Sequence, residues 1–447
     1  MIFNIAPLLA LLTMGALLFV VVWRWPLWGV LAPLCVASLL DLLQIGSGGV
    51  DVGVSLYIDD IACVVSLGVG ILVYLRYWGC FPRDAVPCFA LLILVAICFG
   101  RGLSTYGLKL AGNSVRDLFS FAAPALAVML LRPALRLDAS RLARWLVGAG
   151  LCLSAIAMLR WAGVLPTPVE LEDNLRVVSR TLGADYAMII GQAFIAAIYL
   201  AFAERGNRWW WAGAGLLGLV TLGLQHRSVW AGTAAGIAWL TLRSGRIVNA
   251  RRLAYGAVCC AVAGTVMFAI PQVSDGAVAL ISPNVEETQG EDSTWAWRVS
   301  GYEEAAARII SSEPVDLLIG SPAGWADGAI ASFASTHIHS RYVDTLAYYG
   351  MVGFTALLMW LWMLARTVRR PMRPLHGKTL DNPAPAVFLQ ALLLSEAVYF
   401  VPYTGGILNG VLLGLIWLAA IESNKECVTM RFEPRAVQDI REWISAR

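Results

Sequence analysis

Two arginines and two histidines have the side-chain chemistry of a reaction site. Arg227 stands at one end of an apolar run, Arg298 lies in a long polar segment, and His337 and His339 end that segment. Arginine is always charged and can hold an anion through two parallel hydrogen bonds. Histidine can exchange a proton near neutral pH. If these residues share one face of a membrane, they indicate a site that binds an anion and moves a proton.

Each of the four residues also has an interpretation without chemistry. Arg227 could be an arginine whose charged end reaches the membrane interface, and Arg298 could form a surface salt bridge. His337 and His339 form a His-x-His pair, but no third ligand stands at a convincing spacing, so a metal site is not favoured. The coincidence of two arginines and a histidine beside a segment otherwise poor in positive charge favours the functional interpretation.

The composition excludes most soluble classes of protein. Hydrophobic residues make up 59% of the 447 residues and charged residues 14%, against about 45–50% and about 25% in soluble domains. The formal net charge of +3 is too small over this length to favour a nucleic acid partner. Almost all of the nine cysteines fall in apolar runs or beside basic stretches, which favours neither a disulfide framework nor a zinc site.

The apolar runs predict an all-α polytopic integral membrane protein. A transmembrane helix needs about 20 apolar residues, because its backbone groups must bond to each other inside the lipid. We predict about 12–13 transmembrane helices, since one run is short and the last two are close together. The thirteen runs are 4–23, 27–46, 55–76, 85–103, 117–132, 143–165, 183–203, 209–225, 228–243, 253–271, 341–365, 384–402 and 406–421.

The basic residues predict the orientation, because loops rich in lysine and arginine stay on the cytoplasmic side. Most of the 33 lysines and arginines lie at one set of run ends. An odd number of spans would place the N-terminus outside. We predict the first ten transmembrane helices in residues 1–271, with a short outer loop near residues 166–182. A long outer loop follows over residues 272–340. The last three transmembrane helices lie in residues 341–421, and residues 422–447 form a cytoplasmic tail.

The long outer loop is where we expect the function. Residues 272–338 contain ten acidic residues but only two basic ones, Arg298 and Arg308. An apolar set that includes Trp295 and Tyr302 recurs at helical spacing before Pro314. This pattern predicts an amphipathic helix near the membrane surface.

A few acidic residues lie in or near the predicted spans. Charged side chains at membrane depth are costly and often functional, and interhelical hydrogen bonding is the alternative interpretation. These residues are Asp41, Asp59, Asp60 and Glu396. We expect Asp59 and Asp60 to lie at the outer end of the third span.

The end of the long loop resembles a known family. The run from His339 to Gly353 is His-Ser-Arg-Tyr-Val-Asp-Thr-Leu-Ala-Tyr-Tyr-Gly-Met-Val-Gly. It is similar to the His-Asn-x-Tyr-Leu-x-x-Leu-x-x-x-Gly-x-x-Gly signature of the bacterial O-antigen ligase and polysaccharide polymerase family. Arg298, Tyr302, Pro314, Gly320 and Gly324 resemble the family's Arg-x-x-x-Trp helix and the Pro-x-x-Gly-x-Gly pattern that continues it. Arg227-Ser228 resembles the Ser-Arg-Gly sequence with which one of the family's spans starts.

The resemblance covers roughly residues 170–365 and includes three departures. Ser340 stands where the family commonly has Asn, Tyr302 where it has Trp, and Asp185 where an Asn often opens the seventh span. These differences bear on fine substrate contacts more than on the class of reaction.

The resemblance implies a metal-independent glycosyltransferase of the bacterial inner membrane that uses no cofactor and faces the periplasm. The donor would be an undecaprenyl-diphosphate-linked glycan. Arg227 and Arg298 would bind the diphosphate, and His339 would be the general base with His337 as an auxiliary; alternatively His339 hydrogen-bonds the phosphate. Besides the lipid bilayer, the implied partners are a glycan or lipid A-core acceptor and a chain-length regulator.

The sequence is compatible with several functions. The motif is shared by polymerases of exopolysaccharide or O-antigen repeat units and by O-antigen ligases of lipopolysaccharide biosynthesis, and we prefer the polymerase slightly because residues 226–230 look more like exopolysaccharide-cluster members. A lipid-linked oligosaccharide flippase or transporter has a similar number of spans, but such proteins tend to show internal repeats. A scaffold for other cell-envelope enzymes would leave the His339 signature unexplained.

Overall fold

The computed structural model describes residues 24–43, 50–51, 55–77, 81–166, 181–204, 207–243, 294–324, 340–369 and 385–432. Within these residues the chain is an all-α polytopic membrane protein, to which a two-residue antiparallel ladder of β1 (Val50–Asp51) and β2 (Ser55–Leu56) is added. The predicted spans 4–23 and 253–271 lie outside the described residues.

A helix occupies most of each predicted span that lies among the described residues. The helices are α1 (Pro26–Leu42), α2 (Ile58–Arg76), α3 (Val86–Tyr106), α4 (Leu108–Leu130), α5 (Ala139–Trp161), α6 (Ala184–Ala203), α7 (Trp209–Gly223), α8 (Arg227–Arg243), α9 (Thr294–Ser311), α10 (Pro314–Ile319), α11 (Arg341–Arg369), α12 (Pro385–Tyr399) and α13 (Ile407–Phe432). Five helices of the described part are long and apolar enough to cross a membrane: α2, α3 with its preceding turn, α5, α6 and α11.

The helix of the fifth predicted span begins earlier in the chain than the apolar run that predicts it. The apolar run starts at residue 117, whereas α4 already starts at Leu108. The first half of α4 is polar, and its Arg116 is paired with the neighbouring helix α2. Arg116 Nε donates to Asp60 Oδ1 at 3.0 Å and lies over the ring of Tyr57. A search for apolar runs therefore misses the charged half of this helix.

The core of the bundle lies around α4. Every residue from 121 to 131 is buried, so this half of the helix has no face left for lipid. Small residues of its neighbours make the close approach possible. A Cβ added at Gly70 of α2 would lie 2.8 Å from the carbonyl oxygen of Ala127, and one at Gly410 of α13 would lie 2.0 Å from that of Phe121.

The bundle has two chemically different ends. We call the loop end the one that carries α9, α10 and the closing turn, residues 400–406 between α12 and α13. The opposite end carries the ion pairs Arg136–Glu422 and Arg144–Glu204. Asp59 and Asp60 lie in the first turn of α2, at the loop end.

Candidate functional site

The described residues contain part of the predicted site. His337 and His339 lie outside them. Arg298 lies on the backbone of α9, and its side chain is also outside the described part. Arg227 is the half-buried first residue of α8. The structure shows where the helices at or next to these residues begin and what those helices pack against.

The segment that follows His339 is fixed to the closing turn. The backbone N–H of Arg341 points to the carbonyl oxygens of Phe400 and Tyr403, each at 3.1 Å. The carbonyl of Ser340 accepts the N–H of Asp344 at 2.8 Å, which starts α11. The chain between His339 and α11 consequently has a defined position at the loop end.

Arg341 is the anchor of this junction. Its side chain is fully buried, and its guanidinium donates to the carbonyl oxygens of Thr404 and, at 2.7 Å, Gly405. It forms an ion pair with Asp344 at 3.5 Å and lies over the ring of Phe121, 4.6 Å from the centroid. A buried arginine needs this many partners because desolvating its charge is costly. Sequence reasoning gave Arg341 no role, since the family signature treats its position as variable.

A buried carboxylate supports the closing turn from inside the bundle. Asn409 accepts the N–H of Gly406 through its side-chain oxygen at 3.0 Å. The amide nitrogen of Asn409 donates to both oxygens of Glu396, at 3.1 and 3.0 Å, and Gln192 donates to Glu396 as well. Glu396 is fully buried. Its contacts are therefore the interhelical hydrogen bonds that were one interpretation of this acid.

The helix that carries Arg298 packs on the start of α11. Ala305 of α9 and Ala347 of α11 are both buried and form a small apolar cluster with Tyr302, Val343 and Tyr348. The Tyr302 hydroxyl donates to the carbonyl oxygen of Val401 in the closing turn at 3.4 Å. The predicted Arg298 helix and the segment after His339 thus meet at the same junction.

Two glycines of the motif allow a backbone contact at this junction. Gly320 follows α10 with φ of +89°, and Gly350 interrupts the helical geometry of α11 with φ of +66°. A Cβ at Gly350 would lie 2.7 Å from the nitrogen of Gly320, and one at Gly320 would lie 2.4 Å from the carbonyl oxygen of Tyr348. Both positions therefore require glycine for its positive φ and its lack of a side chain.

The segment after α9 is also clamped to α3. Arg101 of α3 forms an ion pair with Asp316 at 2.6 Å and donates to the carbonyl oxygen of Gly320. The N–H of Ala323 donates to the carbonyl oxygen of Cys98 at 2.9 Å. These contacts fix the segment after α9 to the helical bundle, and sequence reasoning missed Arg101 because its partner is more than two hundred residues away.

Arg227 reaches the loop end through the packing of α8 on α12. A Cβ at Gly232 would lie 2.8 Å from the carbonyl oxygen of Ser395 and 3.5 Å from Cβ of Tyr399. The preceding residue, His226, is buried, and its Nε2 lies 2.8 Å from the carbonyl oxygen of Leu182. The start of α8 therefore lies at the level where α12 ends and the closing turn begins.

The fold and these contacts define the chain as a helical membrane protein with a fixed polar junction at one end. In comparisons with known proteins, no family model matches the chain, and no curated protein matches it.

Proposed function

We propose that the protein is a glycosyltransferase that joins undecaprenyl-diphosphate-linked glycans at the loop end. It polymerises exopolysaccharide or O-antigen repeat units at the periplasmic face of the bacterial inner membrane. The observation that supports this most is the junction at Ser340 and Arg341. There the segment after His339, the helix of Arg298 and the closing turn meet in one fixed arrangement.

The proposed reaction transfers a glycan from diphosphate to a hydroxyl group. The acceptor oxygen attacks the anomeric carbon of the donor, and the bond from that carbon to the diphosphate oxygen breaks. His339 takes the proton of the acceptor hydroxyl, with His337 as the auxiliary. The lipid diphosphate leaves with the bonding electron pair, and Arg227 and Arg298 bind its growing negative charge.

Arg341 has a different task in this proposal. Its guanidinium is occupied by backbone carbonyls of the closing turn and by Asp344, so it does not bind the diphosphate. It fixes the chain next to His339, because a general base acts only within hydrogen-bond reach of the hydroxyl. Arg341 is therefore a positioning residue.

The test is transfer by the purified protein in nanodiscs, with an undecaprenyl-diphosphate-linked repeat unit and a chelator throughout. We expect a ladder of lengthened lipid-linked glycan. Arg298→Ala should lower the rate about 100-fold or more if it binds the leaving group. Arg136→Ala is the matched control, because this arginine is 89% exposed at the opposite end.

The same assay separates the competing functions. A single transfer that needs lipid A-core as acceptor would identify a ligase in place of a polymerase. Absence of any product together with movement of the lipid-linked glycan across the bilayer would identify a flippase. Full activity of a folded, inserted Arg298→Ala protein would contradict the proposed diphosphate site.

A further inference from the structure

A polar cavity lies at the loop end, beside the closing turn that Arg341 anchors. It is a half-enclosed cavity of about 220 Å³ between α1, α2, α4, α6 and the start of α13. This volume is below the roughly 300–1,000 Å³ of pockets for drug-sized ligands, so it fits one small ring. The polar side chains that line it are Ser38, Asp41, Asp59, Arg116, Asp117, Ser120, Asp185 and Tyr186.

The cavity wall offers both hydrogen-bond acceptors and donors. The four carboxylates accept hydrogen bonds, Arg116 donates them, and the hydroxyl of Ser38 can do both. Such a mixed wall matches a ligand whose hydroxyl groups both donate and accept. A sugar ring carries hydroxyl groups of this kind around its whole edge.

Neighbouring contacts hold several of these side chains in place. Tyr186 donates to Asp41 at 2.8 Å, Tyr399 donates to Asp185 at 2.7 Å, and Arg116 is bound to Asp60 at 3.0 Å. A wall fixed before binding loses little side-chain entropy when the ligand enters. The arrangement is therefore suited to binding and does not depend on rearrangement.

The charge and arrangement of the wall exclude two other ligands. Four aspartates against one arginine repel an anion such as a diphosphate. A resident metal ion is not supported either, because within the described ranges no group of three or more His, Cys, Asp or Glu residues could hold one. Carboxylates spread around a wall serve separate hydroxyl groups better than one cation.

We propose that this cavity binds one sugar ring of the acceptor glycan, a designation that rests on the proposed function. The donor's diphosphate belongs with Arg227 and Arg298, whereas the acidic cavity takes an uncharged sugar ring of the acceptor, away from any diphosphate of its own. Arg341 links the junction after His339 to the cavity. Its Nη2 donates to the carbonyl oxygen of Gly405, the neighbour of the lining residue Gly406. It also lies 3.5 Å from the carbonyl oxygen of Asp117, another lining residue.

Saturation-transfer NMR tests the cavity without any transfer reaction. The probes are the methyl glycosides of glucose, galactose, mannose, rhamnose and N-acetylglucosamine, added one at a time to the protein in nanodiscs with a chelator present. We expect signal from at least one glycoside. Asp59→Asn should weaken its binding about tenfold, because an asparagine keeps one acceptor oxygen but lacks the charge that strengthens hydrogen bonds to it.

Two further variants make the test specific to the cavity. Gly406→Ala should also weaken binding, because its Cβ would lie 2.5 Å from Asp185 Oδ2 and displace that carboxylate. Glu204→Gln is the control, since Glu204 follows the same helix as Asp185 but lies at the opposite end, paired with Arg144. Equal binding by all three variants, or no binding of any glycoside, would overturn the proposal.

The outcome is separable from that of the proposed function. Glycoside binding that Asp59→Asn weakens supports a sugar site even if the transfer assay fails. Transfer that proceeds normally in Asp59→Asn, with unchanged acceptor KM, would overturn the acceptor site while leaving the transferase intact.

Discussion

The arginines at the two ends of the bundle differ in their surroundings. At the loop end, Arg341 is fully buried and Arg160 is 5% exposed, and both donate to backbone carbonyls. At the opposite end, the side chains of Arg136 and Arg144 are 89% and 52% exposed. Counting basic residues gives all four the same weight. Their burial shows that Arg341 and Arg160 hold the backbone of the loop end in place, whereas Arg136 and Arg144 each form a surface ion pair.

Removal of Arg341 should have the largest effect on stability. Arg341→Met leaves the carbonyls of Thr404 and Gly405 without this donor and Asp344 without this ion pair. We expect the free energy of unfolding in mixed micelles to fall by about 3–5 kcal/mol, as for other broken buried pairs. Arg136→Ala at the opposite end should change it by less than about 0.5 kcal/mol. Equal effects of the two variants would remove the distinction between the ends.

A side chain at the motif glycine should have the next largest effect. Gly350→Ala places a methyl group 2.7 Å from the backbone of Gly320 at a residue with φ of +66°. We expect a loss of about 1–3 kcal/mol in the free energy of unfolding, because the junction cannot accommodate the added atom. Gly148→Ala is the control in α5, where a Cβ meets nothing within 4 Å. That variant should be neutral or slightly stabilising.

A third comparison concerns two carboxylates, Glu396 near the loop end and Asp84 at the opposite end. Glu396→Gln replaces an oxygen that accepts from Asn409 with a donor, and we expect a loss of about 1–3 kcal/mol. Asp84→Asn is the counterpart at the opposite end, where a single oxygen accepts from both Thr367 and Trp417. An asparagine can keep that oxygen in place, so the thermal midpoint of this variant should fall less. A larger drop for Asp84→Asn would contradict the assignment of these hydrogen bonds.

The smallest expected difference concerns two surface ion pairs. Arg101 bonds both Asp316 and the carbonyl of Gly320 with its side chain 29% exposed, whereas Arg144 meets Glu204 at 3.4 Å and is 52% exposed. We expect Arg144→Ala to change stability by less than about 0.5 kcal/mol. Arg101→Ala should cost about 1–2 kcal/mol, since it also frees the segment after α9. Limited proteolysis around residue 320 provides the matching readout, and equal cleavage of the two variants would speak against the clamp.

Most of the spans could be predicted because burial in lipid demands long apolar runs. The start of α4 at Leu108 could not, since Arg116 is stabilised by Asp60 from a different helix. Spacing within one sequence carries no information on such distant pairs.

The candidate site also has features that the sequence predicts and features that it does not. Gly320 and Gly350 stand out in the sequence as parts of a motif, but only the structure gives the reason, a contact between two backbones. Arg341 occupies a variable motif position, and its role follows from carbonyls more than sixty residues away. Where a side chain matters through distant backbone atoms, its residue type alone does not reveal its task.

The most direct test of the central claim compares two histidines. His339 precedes the fixed junction, and His376 lies in the sequence between α11 and α12. Transfer of an undecaprenyl-diphosphate-linked glycan would be measured for His339→Ala and His376→Ala, with folding checked by unfolding in micelles. We predict that His339→Ala loses about 100- to 10,000-fold in rate while His376→Ala keeps the rate of the unaltered protein. Full transfer by a folded, inserted His339→Ala protein would contradict the account.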